Sequence, residues 1–246
     1  IGPLIFFDLL EIIERYGHRT ISNSRPLLLW IVERLIPLFK LKSLTKKSSP
    51  VQILEDLSKN LDERKEEIFN SNRRDLNRNK TLSKELKDRL IINDKKLKDI
   101  IRSIKNVKKL NDPLNGSEEY IRKDGLKIIN KVTPIGVICA IYESRPNVTI
   151  DITSLCIKSG NVAILRGGKE SLSTNSILIN IIQKTLEQNG VSKNCIQYIK
   201  DPNRKYINEL LSLDKYIDLV IPRGGNKRVE NVSKNAKMRA IFGGIG

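Results

Sequence analysis

Histidine occurs once (His18) and cysteine three times (Cys139, Cys156, Cys195), and no CxxC or HExxH pattern is present. The chain therefore shows no metal-binding pattern, and no metal is expected. All three cysteines sit inside apolar runs, so they read as small buried hydrophobes of a reducing compartment, here taken as the cytoplasm. Aromatic residues make up only 5% of the sequence, too few for a base-stacking surface. Long apolar runs are also missing. The most apolar stretch, PLLLWIVERLIPLF (26–39), is too short to span a bilayer and is broken by Glu33 and Arg34. Neither a membrane partner nor a signal peptide is read from it. Acidic residues are scarce beside basic ones, 28 against 45, which leaves a net charge of +17. That excess is +9 over residues 1–130 and +8 over 131–246, with no basic tail or stripe. A nucleic-acid partner is thus not expected from the charge alone, although a basic binder using its RGG segments stays as a third reading. The chain begins with Ile rather than Met, which reads as a fragment.

What is present falls into four sections. Residues 1–49 are an apolar segment with helical spacing, running into the linker LTKKSSP (44–50). Residues 50–116 read as a charged helical region. Ile53, Leu54, Leu57 and Leu61 form one apolar stripe, continued by Ile68 and Phe69, and the charge run at 62–67 reads as a solvated helix face. Asn93-Asp94 reads as the start of another helix, with Leu97, Ile100, Ile101 and Ile104 on one face. NDPLNG (111–116) is a break. Residues 117–133 then read as a hairpin around a two-residue Asp124-Gly125 turn. From 134 to 246 short apolar runs alternate with helical ones. PIGVICAIY (134–142), NVAILRG (161–167), CIQYIK (195–200) and YIDLVIPRG (216–224) are candidate buried strands, and Gly160 and Gly190 stand where helix C-caps belong. This alternation predicts an α/β fold with a doubly wound, mostly parallel sheet.

In such sheets ligands gather beyond the carboxyl ends of the strands. Two glycine turns fall there: Arg166-Gly167-Gly168-Lys169 after one strand, and Pro222-Arg223-Gly224-Gly225-Asn226 after another. Each opens a helix, where free backbone N–H groups and the helix dipole favour an anion. Glycine would let a pyrophosphate approach the backbone, and the flanking cations suit a nicotinamide dinucleotide with an extra ribose phosphate. Neither turn is the GxGxxG fingerprint of a standard dinucleotide fold. A third strand end, YESRPNVT (142–149), offers the amide of Asn147. It reads either as a helix cap or as a donor to a developing oxyanion.

The segments PIGVICAIYESRPNVTIDITSLCIKSGNVAILRGGKESLSTN (134–175) and SLDKYIDLVIPRGGNKRV (212–229) closely resemble the gamma-glutamyl phosphate reductases of the aldehyde dehydrogenase superfamily. NSNRRDLNRNK (70–80), LKDRL (86–90) and LNDPLNG (110–116) resemble the family's N-terminal helical region, whereas residues 1–45 do not match. The resemblance implies NADPH-dependent reduction of L-glutamyl 5-phosphate to L-glutamate 5-semialdehyde with release of phosphate, in proline biosynthesis. It places Asn147 at the oxyanion-hole asparagine and Arg166 at the basic residue on the adenosine ribose, with Lys169 near the 2′-phosphate. It also places the 223–226 turn beside the pyrophosphate, makes Arg145 a candidate substrate contact, and likens the hairpin to an arm used in homo-oligomers. The family's nucleophilic cysteine lies in a C-terminal domain expected after Gly246, and none of Cys139, Cys156 and Cys195 matches it. The alternative to a reductase is a catalytically silent dinucleotide-binding module.

Overall fold

The computed structural model describes residues 49–242, so the apolar segment 1–48 and His18 lie outside the described residues. Helix α1 (Pro50–Glu63) starts where the Ser49 hydroxyl accepts the Gln52 N–H at 3.2 Å, with Pro50 in the first turn. Its stripe of Ile53, Leu54, Leu57 and Leu61 is buried, at roughly 1.5–3 kcal/mol for each side chain. The stripe does not run on in one helix. Arg64 (φ −101°, ψ 22°) ends α1, and α2 (Lys65–Arg78) begins a second helix. The charged run 62–67 therefore sits at a helix junction, not along one face, and Arg64 pins it with two 2.7 Å hydrogen bonds to Glu67. After α3 (Lys84–Leu90), Asn93 starts α4 (Asp94–Lys109) by accepting the Lys96 N–H at 2.9 Å. Leu97, Ile100 and Ile104 of α4 are buried, and Ile101 packs against the same core.

Strands β1 (Ser117–Ile121) and β2 (Lys127–Lys131) form an antiparallel hairpin. Its turn is longer than the expected two residues. Arg122 N–H donates to Leu126 O and Gly125 N–H to Arg122 O, both at 2.9 Å, which leaves a three-residue loop with Gly125 at φ 85°. A tight turn followed by a left-handed residue matches the strand twist just as a two-residue turn does.

The main sheet holds β3 (Val137–Tyr142), β4 (Val162–Arg166), β5 (Ile196–Tyr198), β6 (Leu219–Arg223) and β7 (Arg239–Ala240). All neighbours are parallel, in the order β5-β4-β3-β6-β7. The four expected strands are present. The two-residue β7 was not expected, because its sequence carries no apolar run. Crossovers are made by α5 (Pro146–Lys158), α6 (Leu172–Gln188), α7 (Lys205–Leu211) and α8 (Asn226–Asn235). Gly160 and Gly190 close α5 and α6 at φ 68° and 71°.

Alternate residues of β3 feed two cores. Ile138, Ala140 and Tyr142 pack with α5 and α6, on which α1, α2 and α4 are stacked, while Val137, Cys139 and Ile141 pack with α7 and α8. Chain order reverses at β3: β4 and β5 lie to one side, β6 and β7 to the other. The gap between the carboxyl ends of β3 and β6 is therefore the switch point, where an open sheet of this kind leaves a crevice.

Candidate functional site

Register sets the three strand exits side by side, because Ile141 pairs with Arg166 and Tyr142 with Arg223. At the first exit Arg166 is only 5% exposed. Its guanidinium donates to the carbonyls of Gly167 (3.3 Å) and Pro202 (2.5 Å), stitching the end of β4 to the loop after β5. The sequence suggested a cation facing a ligand; the fold turns it inward, onto backbone oxygens. Gly167 and Gly168 are likewise crowded by the protein itself. A Cβ on Gly167 would meet the Asn175 amide and, at 3.2 Å, the Tyr142 ring. One on Gly168 would lie 2.9 Å from both the Ser144 nitrogen and the Glu170 carboxylate. Under the turn runs a buried chain: Tyr142 and Thr149 share a hydroxyl bond (2.7 Å), Thr149 donates to Asn175 (2.9 Å), and Asn175 donates to Ser171 (3.0 Å). Burial pushes the Tyr142 hydroxyl well above its ordinary titration range. Lys169 is exposed at the lip of this turn.

The second exit is more open. Pro222 is buried, but Arg223, Gly224, Gly225 and Asn226 are exposed. Gly224 holds φ 148°, a conformation costly for any residue with a side chain. Gly225 is the N-cap of α8 and brings no capping side chain of its own. Its N–H instead donates to the Glu143 carboxylate at 2.9 Å, across the switch point. The other oxygen of Glu143 lies 3.9 Å from the Arg89 guanidinium.

At the third exit Arg145 caps α5, Pro146 opens it and Asn147 follows. Asn147 is no cap, since its amide donates to Asp151 Oδ2 at 3.2 Å, one turn along. Asp151 Oδ1 in turn accepts the Ser103 hydroxyl of α4 at 2.9 Å. Arg145, Asn147 and Asp151 line a cleft of about 450 Å³ together with Arg89, Lys96 and Asp99. Both signs of charge meet around one small space. Sequence reasoning missed Glu143, Arg89, Ser103 and Asp151. Only the four-residue spacing of Asn147 and Asp151 was visible beforehand, as a same-face helix pair.

No cysteine lines this cleft. Cys139 lies in β3 and Cys156 in α5, and burial pushes both thiols up to about 12. Cys195, less deeply placed, is pushed up to about 11. No cluster of His, Cys, Asp or Glu able to hold a metal occurs among the described residues. Nor is any helix among them long and apolar enough to cross a membrane.

No family model matches the chain. Individual proteins do. The gamma-glutamyl phosphate reductase of Actinobacillus pleuropneumoniae serotype 3 is 43% identical over 198 residues, 79% of this chain and 48% of that protein. That of Vibrio cholerae is 40% identical over 199 residues, again 79% and 48%. Among solved structures, the gamma-glutamyl phosphate reductase of Thermotoga maritima superposes with a TM-score of 0.82 at 32% identity, covering 88% of this chain and 54% of that one. The Saccharomyces cerevisiae enzyme gives 0.75 at 33%, covering 90% and 56%. An engineered glycolyl-CoA reductase with bound NADP+ gives 0.60 at 15% identity, covering 86% and 46%, a likeness of fold. The chain spans about half the length of the curated relatives it matches. Over about four fifths of its own length, it is a homologue of the gamma-glutamyl phosphate reductases, built on the sheet of the aldehyde dehydrogenases.

Proposed function

We propose that the chain supplies the cofactor-binding part of an NADPH-dependent reductase, one that converts L-glutamyl 5-phosphate to L-glutamate 5-semialdehyde and phosphate in proline biosynthesis. The observation that carries this is that β3, which leads into Asn147, and β6, which leads into the glycine turn 223–226, flank the switch point and are joined there by the Glu143–Gly225 hydrogen bond. The second turn fits a phosphate. The Gly225 N–H at the start of α8, held by the Glu143 carboxylate without a ligand, becomes a phosphate donor once Glu143 lets go, Gly224 brings no side chain, and Arg223 stands exposed beside them. At the first turn the fit rests on Lys169, since the Arg166 guanidinium is spent on the carbonyls of Gly167 and Pro202. NADPH, when bound, would supply the hydride.

The chain's own residues have three tasks. Gly225 and Arg223 hold negative charge at the crevice. The mixed-charge cleft, with Arg145, Lys96 and Asp99 on its wall, suits a small molecule carrying both an ammonium and carboxylate or phosphate groups. Asn147 offers an amide N–H toward a developing oxyanion, while its other N–H is held by Asp151. The step that remains is nucleophilic attack. Cys139 and Cys156 are buried and Cys195 partly so, and all three are protonated at neutral pH and lie outside the cleft, so none of them is the nucleophile. The same fact favours the second reading, a dinucleotide-binding module without chemistry of its own.

Residues 1–246 are expected to quench NADPH fluorescence saturably, to bind NADH at least several-fold more weakly, and to release no phosphate from glutamyl phosphate. Absence of NADPH binding would sink the cofactor reading, and NADPH-dependent phosphate release would overturn the assignment of the thiols.

A further inference from the structure

We infer that Glu143 is an internal latch on the cofactor crevice, a carboxylate seated where an incoming phosphate has to go. Three observations carry this. Glu143 leaves β3 and Gly225 leaves β6, the two strands that flank the switch point. The bond between them joins residues 82 apart in sequence and closes the gap at 2.9 Å. Gly225 is the N-cap of a ten-residue helix without a capping side chain, and Glu143 accepts its N–H, the place that a capping-box carboxylate or a bound anion would take.

The inference rests on the cofactor reading above. A carboxylate and a pyrophosphate cannot share one N–H donor, and their like charges repel. Ligand entry must therefore release Glu143 from Gly225. The structure also supplies a place to retreat, because the second oxygen already lies 3.9 Å from Arg89, a wall residue of the substrate cleft. Displacement draws Glu143 toward Arg89 and lowers the positive charge that cleft offers. Filling one site thus changes the electrostatics of the other through a single side chain. The exchange is reciprocal: an anion drawing on Arg89 loosens its hold on Glu143.

The test compares NADPH dissociation constants, from fluorescence titration, for the unmodified chain, Glu143→Ala, Arg89→Met and the double variant. It also follows the Gly225 amide by 15N–1H correlation without ligand. Loss of one competing hydrogen bond predicts about fivefold tighter binding for Glu143→Ala, with a shifted Gly225 amide. Arg89→Met should weaken binding while Glu143 is present and change it little once Glu143 is gone. Equal or weaker NADPH binding by Glu143→Ala overturns the latch and leaves the cofactor reading standing. A Gly225 amide that stays put also overturns it. No binding by any of the four proteins overturns both.

Discussion

A thiol in an apolar wall has little reason to ionise, and Cys139 and Cys156 sit in such walls on and against the sheet. In the unfolded chain they would lose their protons near the ordinary value of 9.0, whereas in the fold burial pushes them to about 12. Between those limits the unfolded state gives up protons that the folded state keeps. Stability therefore falls as pH rises from about 9 toward 12, and the thiols contribute no pH dependence below that window. Melting temperatures taken between pH 8 and 10.5 should decline less steeply for a Cys139→Ala, Cys156→Ala variant than for the unmodified chain. A thiol reagent at pH 8 should label neither cysteine until the protein is denatured. Their inertness was legible in sequence from the apolar runs around them. Arg166 was not. A cation at a strand end beside two glycines reads as a ligand contact, and nothing local reveals that Pro202, thirty-six residues on, takes its guanidinium.

At the scale of elements the N-terminal helices are tied to the sheet by buried polar groups as well as by apolar stripes. Asp75 of α2, 1% exposed, accepts the Ser173 N–H (3.0 Å), the Thr174 N–H (2.7 Å) and the Thr174 hydroxyl (2.7 Å). It thereby caps α6 from another element and places negative charge at that helix's N-terminus. Asn72 works beside it, accepting the Ile92 N–H at 2.8 Å and donating to Leu90 O at 2.9 Å. Asp75→Ala would strand two buried donors and a part-buried one, and an unfolding free energy about 2–4 kcal/mol lower is expected by urea denaturation. Asp75→Asn, which keeps one acceptor oxygen, should cost less. Helices α1, α4, α5 and α6 and strands β3 to β6 were readable because each is a local pattern of caps, stripes and apolar runs, whereas the break between α1 and α2 and the short α3 were not. The clamp was not, because NSNRRDLNRNK looks like a solvated helix until α6 is packed on it. Strand β7 escaped for a related reason: its partner β6, not its own composition, makes it a strand.

For the whole molecule, the hairpin is the part least supported from within. Tyr120 and Ile129 are about half exposed and Ile121 is 72% exposed, and β1 pairs only with β2 among the described residues. Two strands alone are marginal in water, and an apolar hairpin with open edges invites a partner. A second copy of the chain is the expected cover. Sedimentation should show a dimer or larger assembly, and Ile121→Lys with Ile129→Lys should shift it to monomer with little change in the melting temperature of the sheet. An unchanged mass would remove the hairpin from the interface.

The Asp75 clamp also has a consequence in time. Asp75 is made about a hundred residues before Ser173 and Thr174, and a ribosome adding roughly 5–20 residues per second needs some 5–20 seconds to cross that interval. Until then α1 can already pack on α4, but α2 has formed a stripe and a carboxylate with no α6 to receive them, so Ile68 and Asp75 wait in water. Strand β4 joins β3 over a short separation, whereas β6 joins β3 and α2 meets α6 only over long ones. Birth of this protein should therefore pass through a stage that holdase chaperones recognise, ending when α6 leaves the exit tunnel.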